Sequence, residues 1–332
     1  MDRSVMAKQR LLLGFSVLLV LNAVGHLAWG PMEISLWEAL TWAEGSNSVE
    51  SVVMYEVRLP RVLTAMAGGA GLALSGLLLQ TWFHNPLAGP SVLGISSGAS
   101  MGVALVVLSG WSWGWMGVSA SATLGGLFSL MLILGVSRRF SGVAALLIFG
   151  LMLNYVLGAL VTVLQAEAQQ DALQQFVFWG MGTFGQAPLS VAAGLSILVI
   201  IAGVWMLGKS RALDAWTLGS LTARSMGVHE GRLQWTVIGT TGILAGCITA
   251  ICGPVAFLGL ATPHLVRLVT SERSHKRLIP LTIVAGSLLA LVADWGVRGP
   301  GLDGGGWPLN AVLSLLGGPL VIWVLFRKTW NA

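Results

Sequence analysis

The feature that most limits what this chain can become is the regular alternation of long apolar runs with short charged links. A bilayer core takes about 20 apolar residues per helix. Runs of about that length fall at 11–29, 60–82, 92–109, 116–136, 142–165, 190–208, 233–252, 256–270, 279–297 and 309–326. Asp, Glu, Lys and Arg make up only 9% of the 332 residues. A soluble domain carries about 25%, so this chain lacks the charge to cover so large a core with a wetted surface. The reading is an all-α, polytopic membrane protein of about ten transmembrane helices, a single domain over residues 1–332. The third and eighth runs are short and rich in Gly and Pro, which predicts broken or tilted helices there.

Lys and Arg set the expected orientation, because they collect on the cytoplasmic side. With the N-terminus inside and the helices alternating, Arg58, Arg61 and Arg298 fall outside and the other basic residues inside. Most of the acids fall outside, among them Glu33, Glu38, Glu44, Glu50 and Glu56. Both termini are then cytoplasmic. Arg3, Lys8 and Arg10 precede the first apolar run as in a signal peptide. The run is long and no clear small-residue cleavage site follows, so it reads as an uncleaved first helix. The longest links are 30–58 outside and 209–232 inside.

One motif points elsewhere. GVWMLGKS (Gly203–Ser210) fits the phosphate-binding pattern G-x-x-x-x-G-K-[ST], and LLALVAD (Leu288–Asp294) resembles an apolar strand ending in a magnesium-binding Asp. A phosphate loop needs a flexible glycine turn between strand and helix. Here the variable positions Val204–Leu207 continue an apolar helix, and Lys209 and Arg211 read as flanking anchors. Lys209 and Asp294 also fall on opposite faces of the membrane, so they cannot share an ion. The match is a decoy. Cys247 and Cys252 sit five apart in one helical run, a poor geometry for a disulfide, and His26, His84, His229, His264 and His275 are scattered, as structural histidines are.

Two stretches resemble each other: Gly69–Ile95 and Thr240–Val266 each pass from a small-residue helix through a Gly/Pro break into a short helix. Their first helices run in opposite directions, which predicts an inverted repeat with the pathway at the repeat interface. In the first stretch Ala67, Gly71 and Ser75 recur every four residues, spacing that lets a second helix approach closely. In HNPLAGP, Pro86 and Pro90 break the helix and free backbone polar groups. Such backbone stands at membrane depth only where protein buries it or water lines it; a plain inside turn, with Asn85 capping it, is the other reading.

The segment Arg58–Gly102 is the densest signal. R-L-P-R followed by S-G-x-x-x-Q-x-x-F-x-N-P-L-A-x-P-x-x-L-G-x-S-x-G-A is met by Arg58–Arg61, Ser75, Gly76, Gln80, Phe83, Asn85–Ala88, Pro90, Leu93, Gly94, Ser96, Gly98 and Ala99. This resembles the FecCD family of ABC importer permeases, transmembrane subunits of type II importers for iron–siderophores, haem and vitamin B12. Similar matches run along the chain. Gly150 and Asn154 fit G-x-x-x-N. GPVAFLGLATPHLVR resembles the family's G-P-I-x-F-[IV]-G-L-x-x-P-H-x-x-R, with Gly253, Pro254, Phe257, Gly259, Leu260, Pro263, His264 and Arg267 in place. Asp294 and Arg298 fit D-x-x-x-R, and Pro308, Gly317 and Pro319 fit the last helix. Two positions depart: Ser220 replaces the acid of the usual L-G-E, and Gly306-Trp307-Pro308 replaces Glu/Asp-Leu-Pro.

The resemblance implies a BtuC-like fold and a chain that is no enzyme. ATP and magnesium belong to two separate ATPase subunits, and this chain carries no catalytic residue, cofactor or metal. The other implied partners are a periplasmic binding protein, a second permease copy (identical or a paralogue) and membrane lipid, with no nucleic acid; the implied site is the bacterial inner membrane. Arg58, Arg61 and Arg298 match positions that meet acids on the binding protein; internal pairing, as of Arg58 with Glu56 or Arg298 with Asp294, is the alternative. The cytoplasmic loop of about 213–232 matches the segment that docks on the ATPase, which marks Leu218, Gly219, Ser220, Ala223, Arg224 and Gly227 as coupling residues. Asn85, Pro86, Asn154 and Thr162 are pathway candidates, with packing inside one subunit the alternative for Asn154 and Thr162. The runs hold almost no ionisable residue at mid-depth. That argues against a proton-driven secondary transporter and suits a wide passage for a bulky chelate. Neither a membrane enzyme's catalytic constellation nor a channel signature is evident. An iron–siderophore is the first expectation. FWGMGTFG (Phe178–Gly185) also resembles cobalamin permeases, which puts vitamin B12 second and haem after it.

Overall fold

The computed structural model describes residues 3–30, 32, 49–111, 114–139, 143–298 and 306–329, with the side chains of 3–10, 138, 143 and 320–329 excepted. Secondary structure among the described residues is helical throughout. Helix α1 is Arg3–Ala28. An α-helical turn, Val49–Val52, and a π-helical turn, Val53–Arg58, lead without a break into α2, Leu59–Trp82. A 3-10 turn, Pro90–Leu93, precedes α3, Ile95–Val107. Helices α4 (Gly114–Arg139), α5 (Val143–Glu167), α6 (Gln170–Met181) and α7 (Leu189–Gly208) follow. Two short helices come next, α8 (Ser210–Trp216) and α9 (Ser220–Ser225). The chain closes with α10 (Glu230–Cys252), α11 (Leu258–Thr270), α12 (His275–Arg298) and α13 (Leu309–Thr329).

Each of the ten apolar runs lies on its own helix. Among the described residues, seven helical stretches are long and apolar enough to cross a bilayer. Helices α3 and α11, on the short third and eighth runs, have 13 residues each. At 1.5 Å per residue that is about 20 Å, well under the ~30 Å hydrocarbon core. They are half-helices, as the Gly/Pro content predicts. Two things differ from the sequence reading. Residues 49–58, expected in the outside link, continue α2 backwards. Helix α6, which the reading leaves as connection, starts with Asp171 in its first turn, where a negative charge favours the helix. It ends at Gly182, whose φ of 75° a side chain would disfavour.

Helix α2 is the axis of the fold, buried along nearly its whole length between α7, α10, α11 and α12. Pro60, which has no N–H to give to the helix ladder, sits just after the π-helical turn Val53–Arg58, where the ladder already departs from its regular spacing. A Cβ at Gly69 would run into the Gly286 carbonyl of α12, and one at Gly76 into the Gly259 carbonyl of α11. These two glycines let backbone meet backbone, the close packing that holds helices together in lipid. The expected Ala67/Gly71/Ser75 stripe is buried too, but Gly71 meets only side-chain ends, those of Ile248, Val199 and Leu244. The closest approach is therefore one register over from the expected stripe. Helices α5 and α7 leave much of their length uncovered, with Tyr155, Val163, Ile200 and Val204 exposed.

Helix α10 lies antiparallel to α2: Gly68 sits beside Cys252, and Gly71 beside Leu244. Each of the two helices then passes through a break into a half-helix, at Pro90–Leu93 in one case and across Gly253 (φ 75°) and Phe257 (φ 65°) in the other. This is the opposed, matching pair that the inverted repeat predicts. The cysteines are free, as their spacing predicts.

Candidate functional site at the two ends and the central break

At one end, the arginine end, the start of α2 meets the last turns of α1 and α12. The Asp294 carboxylate is 1% exposed. Arg61 grips it as a fork, with Nε 3.0 and 2.9 Å from the two carboxylate oxygens and Nη2 2.8 Å from Oδ1. Arg298 Nε donates to Oδ2 at 3.2 Å, and His26 Nε2 is 3.5 Å away. A charge this deep is stable only when paired and hydrogen-bonded, and the planar Arg fork suits a carboxylate. Both guanidiniums still reach water, their side chains being 21% and 18% exposed. Arg58 differs. It is 4% exposed, and its Nη1 donates to the carbonyls of Leu27 at 2.6 Å and Ala28 at 3.1 Å, while Nη2 bonds the Met32 carbonyl. The Arg298–Asp294 pair is the internal pairing weighed above. Arg58 binds the end of α1 in place of Glu56.

The central break is held by side chains that satisfy its freed backbone. Asn85 Oδ1 accepts from the Leu87 N–H at 2.9 Å. His264 Nε2 lies 2.7 Å from the Pro86 carbonyl, and Gln80 Nε2 donates to the Leu260 carbonyl at 3.1 Å. From α5, Asn154 Nδ2 donates to the Ser91 carbonyl at 2.9 Å, and its Oδ1 accepts from Ser97 Oγ at 2.6 Å. One turn earlier, a Cβ on Gly150 would press into the Val92 carbonyl and Leu93. The G-x-x-x-N spacing thus has a physical reason: both residues face the 3-10 turn, one by absence and one by bonding. Thr162 stands exposed on α5, its hydroxyl bonded back to the Gly158 carbonyl at 3.0 Å.

At the other end, the short-helix end, α8 and α9 form a projecting pair within the expected 213–232 loop. Gly219 (φ 103°) and Gly227 (φ 83°) make its turns in backbone regions that L residues avoid. Ala223 is buried as its root, and Ser220 is exposed. Arg224 pairs with Glu230, its Nε 3.0 Å from Oε2. The outer surface is apolar: Leu218 is 64% exposed, Leu221 81% and Met226 61%. Leu221 and Met226 were not singled out from the sequence, although apolar residues in a link otherwise expected to be wet are the signal that finds them. Asp214, His275, Thr81 and Trp216, which root this pair, were also missed. They are far apart in sequence and only the fold gathers them. The phosphate-loop decoy is settled here as well. Val204–Leu207 are helical, with no glycine turn, and the Lys209 ammonium lies 5.1 Å above the Trp205 ring.

Comparison with known proteins agrees with this architecture. The model of the FecCD transport family matches residues 16–327. The chain is 34% identical over 325 residues to the hemin transport system permease protein HmuU of Yersinia pestis, covering 96% of each chain. It is 32% identical to the molybdate import system permease protein MolB of Haemophilus influenzae, covering 94% of each. It is 33% identical to the vitamin B12 import system permease protein BtuC of Vibrio parahaemolyticus, covering 96% of this chain and 95% of that one. Among solved structures, an inward-facing conformation of a putative metal-chelate type ABC transporter superposes with a TM-score of 0.85 at 32% identity, over 96% of this chain and 99% of that one. The length of these matches, the half-helices and the buried motif residues lead to one conclusion: this multi-pass membrane protein belongs to the FecCD transport family.

Proposed function

We propose that this chain is the permease subunit of an ABC importer in the bacterial inner membrane, passing a ferric siderophore inward from a periplasmic binding protein. Separate ATPase subunits drive it, and the chain binds no nucleotide of its own. The observation that carries this reading is the apolar projection of Leu218, Leu221 and Met226 on α8–α9. Three large apolar side chains in so short a segment need a protein partner to cover them, and this end has the excess of Lys and Arg expected of a cytoplasmic face. The arginine end is then periplasmic. Arg61 and Arg298, both reaching water, meet acids of the binding protein, and Arg58 shapes the same surface by holding the carbonyls of Leu27, Ala28 and Met32. Asn85, Pro86, Asn154 and Thr162 lie along the passage, which a second, identical copy completes.

The substrate reading rests on chemistry. Asp, Glu, Lys and Arg of the long described helices sit towards their ends, and the half-helix α11 carries His264 and Arg267. A passage with so little fixed charge suits a bulky chelate that hides its metal. The relatives at 32–34% identity carry names for molybdate, hemin and vitamin B12, so overall likeness does not choose among cargoes. Vitamin B12 is the second reading, favoured by Phe178–Gly185. Within that segment Phe184 is buried and Gly182 packs on Gly253, whereas Phe178 is exposed and free to meet a ligand or a partner copy. Uptake of labelled ferric siderophore and labelled cobalamin, with and without this gene, tests the assignment. Loss of iron uptake alone is expected; loss of cobalamin uptake alone moves the chain to corrinoid import. Absence of any co-purifying ATPase sinks the importer reading itself.

A further inference from the structure

Helix α8 is fastened to the bundle by two sets of bonds that share no residue. In the first, the Asp214 carboxylate accepts from the His275 main-chain N–H at 2.7 Å and from the Ser274 hydroxyl at 3.0 Å. Its Oδ1 is also 2.6 Å from His275 Nδ1. A carboxylate only accepts, so Nδ1 carries a proton. The other ring nitrogen lies 2.7 Å from the Thr81 hydroxyl oxygen in the last turn of α2. The His275 side chain is sealed from water at 1% exposure. In the second set, the Trp216 and Trp82 rings stack with centroids 4.3 Å apart and planes 5° apart. The Trp216 indole N–H donates to the Trp82 carbonyl at 3.1 Å, and the Trp216 carbonyl is 2.9 Å from His84 Nε2. Helix α8 is thus gripped at once by the end of α2 and the start of α12. One glycine turn further on, α9 stands out with its apolar residues uncovered.

A projection meant only to hold a partner needs no such root. A flexible tether would let α9 follow the partner while the bundle stayed still; two separate sets of bonds, one reaching α12 and both reaching the end of α2, remove that slack. Resting on the importer reading above, we propose that Asp214, His275, Thr81 and Trp216 form a transmission joint, which converts movement of α9 on the ATPase subunit into displacement of α2 and α12. Helix α2 is the axis of the fold, so a displacement there reaches α7, α10 and α11 directly. These four are positioning residues: they touch neither cargo nor nucleotide.

The test uses the chain with its ATPase subunits in lipid nanodiscs, carrying Val57→Cys at the arginine end in a Cys247→Ser background. Maleimide labelling at position 57 is timed with and without ATP trapped by vanadate. In the parent complex, trapping should change the rate several-fold. In Asp214→Asn, His275→Gln and Trp216→Phe, ATP hydrolysis should stay within about twofold of the parent while the labelling response falls about fivefold or more, the scale of coupling changes along packed networks. Thr81→Val, the mildest change, should follow the same pattern. A full labelling response in the variants overturns the joint. So does parallel loss of hydrolysis and response, which would mean that these residues only hold the fold. A parent chain that binds no ATPase sinks the importer reading instead. The joint is then decided on the chain alone, by a spin label at Leu221→Cys. Higher label mobility in Asp214→Asn and Thr81→Val supports it, and unchanged mobility overturns it.

Discussion

Asp294 shows how much one buried charge organises. It binds the start of α2 through Arg61 and the end of its own helix through Arg298, and lies against His26 at the end of α1. Asp294→Asn leaves the two guanidiniums facing a neutral amide. The cost should be about 3 kcal/mol, the low end for breaking a buried pair, because both guanidiniums reach water. Unfolding in detergent measures it, and a change under about 1 kcal/mol would mean that backbone carbonyls suffice to hold the arginines. The two exposed arginines also separate docking from stability. Arg61 makes three of the contacts with Asp294 and Arg298 one, so Arg61→Ala should destabilise more than Arg298→Ala. Rim charges govern encounter. If both arginines serve docking, each variant should slow binding-protein association by a similar factor, and more so at low salt. The D-x-x-x-R spacing was legible in the sequence. The capture of Asp294 by Arg61 was not, because the partner lies 233 positions away.

Elements bring out the difference between a small residue and a necessary one. Gly76→Ala puts a methyl into the Gly259 carbonyl, which is main chain and cannot turn aside. Gly71→Ala meets the flexible tip of Ile248. The first should cost about 3 kcal/mol or more and the second about 1 kcal/mol; folded yield in membranes and unfolding in detergent give the comparison. Equal costs would show that α2 and α11 can part without penalty. The sequence marks both glycines as small. Only the crossing of α2 with α11 and α12 decides which of them touches backbone. For α5, Asn154→Ala removes the bonds to Ser91 and Ser97 and should cost about 1–2 kcal/mol, a partly buried polar pair left without its partner. At the short-helix end, Leu221→Ser should leave stability unchanged and weaken ATPase binding, which a pull-down reads directly.

For the whole molecule the testable statement is which end faces the cytoplasm. The end of α1 and the start of α13 both lie away from α8–α9: His26 of α1 is at Asp294, and Asn310 of α13 bonds the Pro254 carbonyl beyond the end of α10. In a Cys247→Ser background, a membrane-impermeant maleimide should label Trp29→Cys from outside intact spheroplasts and Leu221→Cys only after they are opened. The reverse result inverts the assignment of ends and with it the direction of transport.

The sequence by itself determined the class of solvent, the places of the apolar helices and the two places where helices had to break. These follow from local chemistry: hydropathy over about 20 residues, and Pro and Gly at particular positions, act without knowledge of the rest of the chain. The motif residues could be read, and so could the emptiness of the phosphate-loop match, because Val204–Leu207 are plainly helical. Only the tertiary structure decided which partners those residues take. It placed Arg58 on the carbonyls of Leu27, Ala28 and Met32, set Asn154 on the 3-10 turn and drew Asp214, His275, Thr81 and Trp216 into one root. Each of these depends on a helix crossing, and a crossing is fixed by backbone contact between glycines far apart in sequence, which no local pattern contains.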